Sequence, residues 1–426
     1  MSKLNASRAT RRWTIRWSGL ISLASVLLLA PLAGADSGAS VQERVARRDF
    51  PSVFQAWNGA DNLPDEDTLV TRARHDLMWH APGGYGLRWD APCDGLGTSF
   101  TAESLAAGRS RRSALLALNP NMVLIMEVRY RDAPEGYLPT DSPWWLRDEQ
   151  GRRKPGWEEG GFYLLSYSDP EFQAHVAAQC KAAVDSGVVD GVLLDWWGDE
   201  NRDRVNLLKT VRSSIGPEPL ILVNSNQRKV PGSARYVNGL FMEVYRTSTA
   251  DDWQEAAETL LWAERNLLEP RVNCLETWHH GSRDDLHLMR ATTTLSLTHS
   301  NGYCLFSDPN PLPTPDHLHD WYSFWDQETQ WGRPKLGRPV GSRKVWPAGV
   351  VTRTFEYGLV AYNARGNGPA IARFRQPVRS TGTDRPASEH LLGDTDGDIY
   401  IGAGPASHEA PELMSVDRAP AEEGES

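Results

Sequence analysis

Between residues 51 and 330 the chain alternates short, β-rich apolar runs with longer stretches whose apolar residues recur at helical spacing. The runs cover 53–57, 85–89, 122–130, 188–195, 220–224, 239–245, 271–276 and 302–306. The stretches between them, 65–80, 102–118, 169–186, 199–214, 251–268 and 283–299, predict helices, several opening on an aspartate able to cap them. A last helix is expected over 315–327. The fourth, sixth, seventh and eighth runs are almost continuously apolar, as in strands covered on both faces. Eight strands alternating with helices predict an α/β fold, a (β/α)8 TIM barrel. A doubly wound sheet is the alternative, but the first strand-to-helix turn, Gln55-Ala56-Trp57-Asn58-Gly59, is not the glycine-rich loop such sheets use. The connection after the third run, 131–161, is long and rich in Trp, Pro and Gly, which suits a lid or binding loop.

The flanks read differently. Residues 1–35 are basic as far as Arg16 and apolar from 20 to 33. They end in Ala33-Gly34-Ala35 before Asp36, the pattern of a signal peptide. Thr10-Arg11-Arg12-Trp13 leaves twin-arginine export open beside ordinary basic charges, and an uncleaved anchor is the alternative to cleavage. Either way the expected location is secreted or periplasmic, with no further membrane span. A polar linker is expected over 36–50. After Gly332-Arg333-Pro334, runs at 350–355, 359–363, 371–374 and 399–402 predict a small antiparallel β-sandwich over 331–402. Residues 403–426 are acidic and rich in Ala, Pro and Glu, and read as a disordered tail.

The net charge of −10 becomes −15 without residues 1–35, with 40 basic against 55 acidic residues. That argues against a nucleic-acid partner, which would ask for a basic footprint. Four cysteines exclude a disulfide scaffold, and no motif bears on oligomeric state. Seventeen tryptophans exceed what an ordinary core requires.

Barrel active sites lie at the C-terminal ends of the strands. The run ends offer Trp57 and Asn58, Arg88 and Asp90, Glu127 and Arg129, Asp195, Asn224 and Asn226, Glu243 and Tyr245, Glu276, and Asp308. Carboxylates thus ring one mouth, interleaved with Trp57, Trp89, Trp196, Trp197 and Trp278. Glycoside hydrolysis needs a carboxylate pair, and indole faces stack on sugar rings. The run Val189-Asp190-Gly191-Val192-Leu193-Leu194-Asp195-Trp196-Trp197 ends a buried strand in an acid and two indoles. Asp195 could otherwise cap the next helix, a job Asp199 is placed to do, and Asp190 sits at the wrong end of the strand. Glu243 closes an apolar run, where an acid is costly unless it works or is paired, with Arg246 or Arg129 as candidate partners. Glu276 competes with Glu243 as proton donor, its alternative being pKa tuning or a sugar hydroxyl. Glu127 reads as a partner of Arg129 or Arg131 that also borders the substrate. Asn224 and Asn226 either bind hydroxyls or form a turn, and Tyr245 completes the expected substrate-binding set.

Other clusters carry less. His279-His280 and His317-x-His319 resemble metal ligands, but the second pair reads as a solvated helix face with no third ligand in view. Asp394-Thr395-Asp396-Gly397-Asp398 is too short for a calcium loop and reads as a turn. The expectation is therefore no metal and no cofactor. Cys274 and Cys304 read as buried free thiols, and Ser166 and Ser225 lie in no nucleophile elbow.

Asp190-Gly191 leading to Asp195-Trp196, the run 239–245, and Leu336-Gly337-Arg338-Pro339 followed by Arg353-Thr354-Phe355 and Asn363 carry a resemblance. Over residues 50–402 the chain resembles the secreted glycoside hydrolases grouped as hypothetical glycosyl hydrolase family fifteen. More distantly it is similar to the endo-α-1,4-polygalactosaminidases of family one hundred and fourteen and to the α-galactosidase clan. The resemblance implies a barrel with a β-sandwich acting on a glycan. The clan's nucleophile, after strand four, falls on Asp195, and its acid/base, after strand six, on Glu243, where the clan has Asp. The competing readings are a catalytically inactive carbohydrate-binding barrel and a structural envelope protein.

Overall fold

The computed structural model describes residues 38–309, 316–326, 336–402 and 410–420. The expected signal segment, with its twin-arginine candidate, lies outside them. Eight parallel strands form one sheet in chain order: β1 (Phe54–Ala56), β2 (Leu77–His80), β3 (Val123–Glu127), β4 (Gly191–Leu194), β5 (Leu220–Asn224), β6 (Gly239–Val244), β7 (Cys274–Trp278) and β8 (Tyr303–Ser307). A parallel bridge between Val53 and Cys304 brings the last strand back to the first, so the sheet closes into the (β/α)8 barrel.

Side chains alternate across each strand. Leu193, Leu222, Phe241 and Cys274 fill the barrel interior, while Leu194, Val223, Met242 and Leu275 pack outward against the helices. Two residues further on, the inward positions become Asp195, Asn224, Glu243 and Glu276. The apolar floor and the polar positions above it are therefore one alternating pattern read toward the C-terminal ends of the strands.

Helices α1 (Val41–Arg47), α2 (Thr68–Ala73), α3 (Ala102–Leu118), α4 (Pro170–Asp185), α5 (Arg202–Ile215), α6 (Ala250–Asn266) and α7 (Leu286–His299) begin at polar caps. Helix α5 is capped by Asn201 rather than Asp199, whose carboxylate instead pairs with Arg204 at 2.9 Å.

The second strand is not at 85–89. Leu69, Val70, Ala73 and Leu77 continue a helical spacing that hides a break at His75-Asp76, and the strand is the run Leu77-Met78-Trp79-His80. Residues Pro82–Tyr85 form a 3-10 turn, so Arg88 and Asp90 end no strand. The expected helix over 315–327 is, among the described residues, a strap at 316–322 followed by one short turn, Ser323–Asp326.

The expected linker is likewise ordered. A capping box of Ser40 and Glu43 starts α1, which lies across the base of the barrel. From it, buried Arg44 donates to the Met122 carbonyl and pairs with Asp190, which Arg112 also grips at 2.8 Å. Asp190 is thus a buried anion between two guanidiniums. Removing it leaves the buried Arg44 cation facing a second, partly buried one, so Asp190→Ala should cost about 3 kcal/mol. Urea unfolding of the two proteins measures this.

The C-terminal unit is antiparallel. Its strands β9 (Lys344–Val345), β10 (Val351–Thr354), β11 (Gly358–Asn363), β12 (Ala370–Ser380), β13 (Arg385–Leu392), β14 (Asp396–Gly402) and β15 (Leu413–Arg418) run in the order β9-β10-β11-β14-β12-β13, with β15 added on β12. Strand β12 changes partners along its length, pairing with β15 up to Phe374 and with β14 from Val378. This bends the sheet around Val350, Ala372, Phe374 and Tyr400. Its outer face, through Val360 and Ile399, joins the barrel's apolar cluster. β15 falls within the stretch expected to be a disordered tail. β13 and β15 escape a hydrophobic reading because few of their residues are buried.

Candidate active site

A cavity of about 550 Å³ opens at the C-terminal ends of the barrel strands. Asp195, Glu243, Asn224 and Glu127 line its polar side, and Trp57, Trp196, Tyr245 and Trp278 its aromatic walls. Asn226 also borders it. The long loop after β3 folds back as a hairpin pairing Asp132–Pro134 with Phe162–Leu164, and contributes Trp157 and Phe162 to the rim.

One amide organises the centre. Asn224 Nδ2, on a buried side chain, donates to Asp195 Oδ1 at 2.8 Å and to Glu243 Oε2 at 2.8 Å. Both oxygens touch the same nitrogen, so they lie at most about 5.6 Å apart. Burial pushes the Asp195 carboxyl up to about 6, with the charge of Glu127 adding to it against the hydrogen bond from Asn224. Burial also pushes Glu243 up to about 7; Glu276 and Asp195 add to this while His317 and Asn224 oppose it. Two adjacent carboxyls with upward-shifted, distinct affinities for a proton are suited to one giving a proton while the other stays ionised.

Glu127 makes two contacts, accepting from Trp57 Nε1 at 2.9 Å and pairing with Arg129 at 3.3 Å. The Arg129 guanidinium lies 4.5 Å over the Phe162 ring, and that of Arg131 lies 4.3 Å over Trp196, so cations pin the aromatic rim. Six non-glycine residues among those described have left-handed φ, and four of them, Trp57, Trp196, Asn226 and His317, line this cavity. Each such conformation costs about 1–3 kcal/mol and persists where the surroundings impose it, as at functional sites.

Three expected site residues are placed elsewhere. Trp89 is buried and stacks on Phe100 at 4.1 Å, because the strand it was to end does not exist. Trp197 is wholly buried, donating its indole N–H to Ser233, since the left-handed turn at Trp196 sends the second indole into the core. Glu276 lies within β7, beneath the cavity lining, fully buried; its Oε1 accepts from Ser307 Oγ at 2.5 Å and from His317 Nδ1 at 2.8 Å. It supports the site from below and does not face substrate space.

His317 is the main residue that sequence reasoning misplaced. The His317-x-His319 pair is buried, not a solvated face, and both rings pack against the barrel. The available signal was position: a polar pair just after the last strand, where a loop recrosses the mouth. His80, Asp316, Trp157 and Phe162 also line the cavity unforeseen, and Asn58, at the end of the first run, lines it too. Among the described residues four tryptophans line it, whereas Trp79, Trp197, Trp253 and Trp325 are fully buried packing. Asp308 is held by Arg283 and His279.

Glu243, Glu276 and His317 offer ligand atoms within 4.8 Å of one another, and are the described residues that could approach a cation together. Their hydrogen bonding is that of a carboxylate holding an imidazolium: Nδ1–H points at Glu276, and the ring is raised to about 10. The thiols of Cys180, Cys274 and Cys304 are buried.

No protein-family model matches the chain, and no curated protein matches it. Among solved structures, a noncanonic maltogenic alpha-amylase from Thermotoga neapolitana aligns at TM-score 0.48 and 12% identity over 83% of this chain and 99% of its own. An alpha-amylase from Malbranchea cinnamomea aligns at 0.48 and 10% over 86% and 99%. The glycoside hydrolase domain of PelA from Pseudomonas aeruginosa aligns at 0.41 and 13% over 61% and 95%. These neighbours are glycoside hydrolases by name, but likeness this low says nothing of what this chain does. No helix among the described residues is long and apolar enough to cross a membrane.

Proposed function

We propose that the protein is a glycoside hydrolase acting on a poly- or oligosaccharide, with Asp195 as nucleophile and Glu243 as proton donor. The observation that carries this is the single amide of Asn224 holding both carboxylates at 2.8 Å within an aromatic-walled cavity. The carboxyl with the higher proton affinity, Glu243, is suited to protonate the leaving oxygen; Asp195 ionises first and is suited to attack the anomeric carbon. Carboxyl groups about 5–5.5 Å apart leave no room for an intervening water and attack directly. The bound of about 5.6 Å between the bridged oxygens favours that geometry and hence net retention. Asn224 then fixes the orientation of both groups, and the tryptophans stack on sugar faces and exclude water. No cofactor is needed for this chemistry. The pattern of residues 1–35 supports a site of action outside the cytoplasm.

Incubation of the full chain with a broad panel of polysaccharides and oligosaccharides tests the reading. New reducing ends should appear, with the anomeric configuration of the fresh product, read by NMR, retained. Binding of a glycan with no release would instead mark a silent binding barrel. The rim predicts a separate effect: Trp157→Ala removes one stacking face and should weaken substrate about tenfold in KM with kcat little changed. Steady-state kinetics resolves the two constants.

A further inference from the structure

Strands β6 and β7 are in register with Glu243 directly beside Glu276, so two carboxylates sit next to each other on the inner face of the barrel. Neighbouring buried carboxylates repel and are tolerated only with a compensating cation or proton. Among the described residues the one ion-pair partner of either is His317, at 2.8 Å from Glu276 through Nδ1 and 3.9 Å from Glu243 through Nε2. The imidazole is not free to turn. It stacks on Trp57 at 5.0 Å, meets the Phe241 ring edge-on at 6.0 Å, and sits on a residue held at a φ of 55°. The strap that carries it is tied down by Asn58 Nδ2, which donates to the Asp316 carbonyl, and by the bridge from His319 to Ala60.

From this geometry we infer that His317 is a positioning residue for the proton donor: a buried imidazolium, anchored by Glu276, whose carboxylate Ser307 also holds, that sets how readily Glu243 releases its proton. The inference rests on the reading of Glu243 as the donor. The groups facing Glu243 are Asp195 from the end of β4, Asn224 from β5, Glu276 from β7, and His317 from the strap. Those facing His317 are Glu276, Glu243 and Asp316, the last at 3.7 Å from Nε2. Burial alone would drive the imidazole neutral, but the charge and hydrogen bond of Glu276, then Glu243 and Asp316, raise it to about 10. The cation in turn holds Glu243 below where Asp195 and Glu276 would otherwise push it. Without it, Glu243 would keep its proton too tightly to hand it to a leaving oxygen near neutral pH.

The test does not depend on turnover. In the wild-type full chain with ¹⁵N-labelled histidine, assigned against His317→Gln, the His317 ring should remain an imidazolium up to about pH 9. With ¹³C-labelled glutamate, assigned against Glu243→Gln, the Glu243 carboxyl should titrate about one unit or more higher in His317→Gln than in wild type. In Glu276→Gln the His317 ring should lose its proton at a lower pH than in wild type, because the charge and hydrogen bond that hold it against burial are gone. Where turnover is measurable, the alkaline limb of kcat should move with the Glu243 shift, and KM should stay within about twofold. The Glu243 carboxyl moving up without His317, and the His317 ring moving down without Glu276, are together the signature of charge; a merely structural role gives loss in both with no shift. The inference is overturned if wild-type His317 loses its proton near 6.5, if Glu243 titrates alike in wild type and His317→Gln, or if a chelator abolishes wild-type turnover and a divalent cation restores it. Should His317→Gln fail to fold, the wild-type histidine titration, then assigned against Glu276→Gln, still decides. A chain without turnover but with these titrations would sink the glycosidase reading and leave the His317–Glu243 coupling standing.

Discussion

Asp195→Asn should lose turnover by about 10³- to 10⁴-fold in kcat while KM and the fold persist. The amide keeps the shape of the carboxylate, and Asn224 Nδ2 still finds an oxygen to donate to. It cannot attack the anomeric carbon. Stability should move the other way. Because burial raises the Asp195 pKa in the folded state, the ionised carboxylate opposes folding above about pH 6, and replacing it with a neutral group removes that penalty. The variant should melt no lower than wild type at pH 7.5. Circular dichroism melting alongside a reducing-end assay separates loss of chemistry from loss of fold. An unfolded variant would make Asp195 a structural residue.

Glu243→Gln should be as damaging on a natural glycoside, about 10²- to 10⁴-fold, because no acid remains to protonate a sugar alkoxide. An activated aryl glycoside, whose leaving group departs without a proton, should suffer far less in glycosylation and then stall at deglycosylation, where Glu243 acts as base. The wild-type pH profile carries the same assignment. Asp195 must be ionised, so turnover rises through about pH 6; Glu243 must be protonated, so turnover falls above about pH 7. The optimum should therefore be narrow and slightly acidic, its limbs belonging to the coupled pair. In Glu243→Gln, assayed with the aryl glycoside, the alkaline limb should vanish and the acidic limb remain.

The barrel was legible because strand burial on both faces leaves continuous apolar runs, and because an inward position followed two residues later by a polar one marks the mouth. Asp195, Asn224 and Glu243 all follow that rule. Legibility failed where local periodicity misleads. The end of α2 and the start of β2 share apolar residues that satisfy a helical spacing, so the strand slipped along the chain and took Trp89 with it. Glu276 looked like a strand-end acid, but β7 begins at Cys274 and runs on to Trp278, so Glu276 sits mid-strand and fully buried. Trp197 followed Trp196 into the prediction because nothing in a linear pattern announces a left-handed residue. His317 was missed for the opposite reason. Its polarity suggested solvent, whereas its place is decided by two carboxylates far away in sequence, on neighbouring strands. Contacts of that kind arise from barrel closure and have no local signature.

The central claim, that Asp195 and Glu243 divide the work of a retaining glycosidase, is tested most directly by trapping the intermediate. The Glu243→Gln variant would be mixed briefly with an activated aryl glycoside of the sugar that the polysaccharide panel identifies, then digested and mapped by mass spectrometry. The account predicts a gain of one glycosyl unit, located on the peptide that contains Asp195. Turnover of the aryl glycoside with no adduct, or an adduct on another carboxylate, would contradict it.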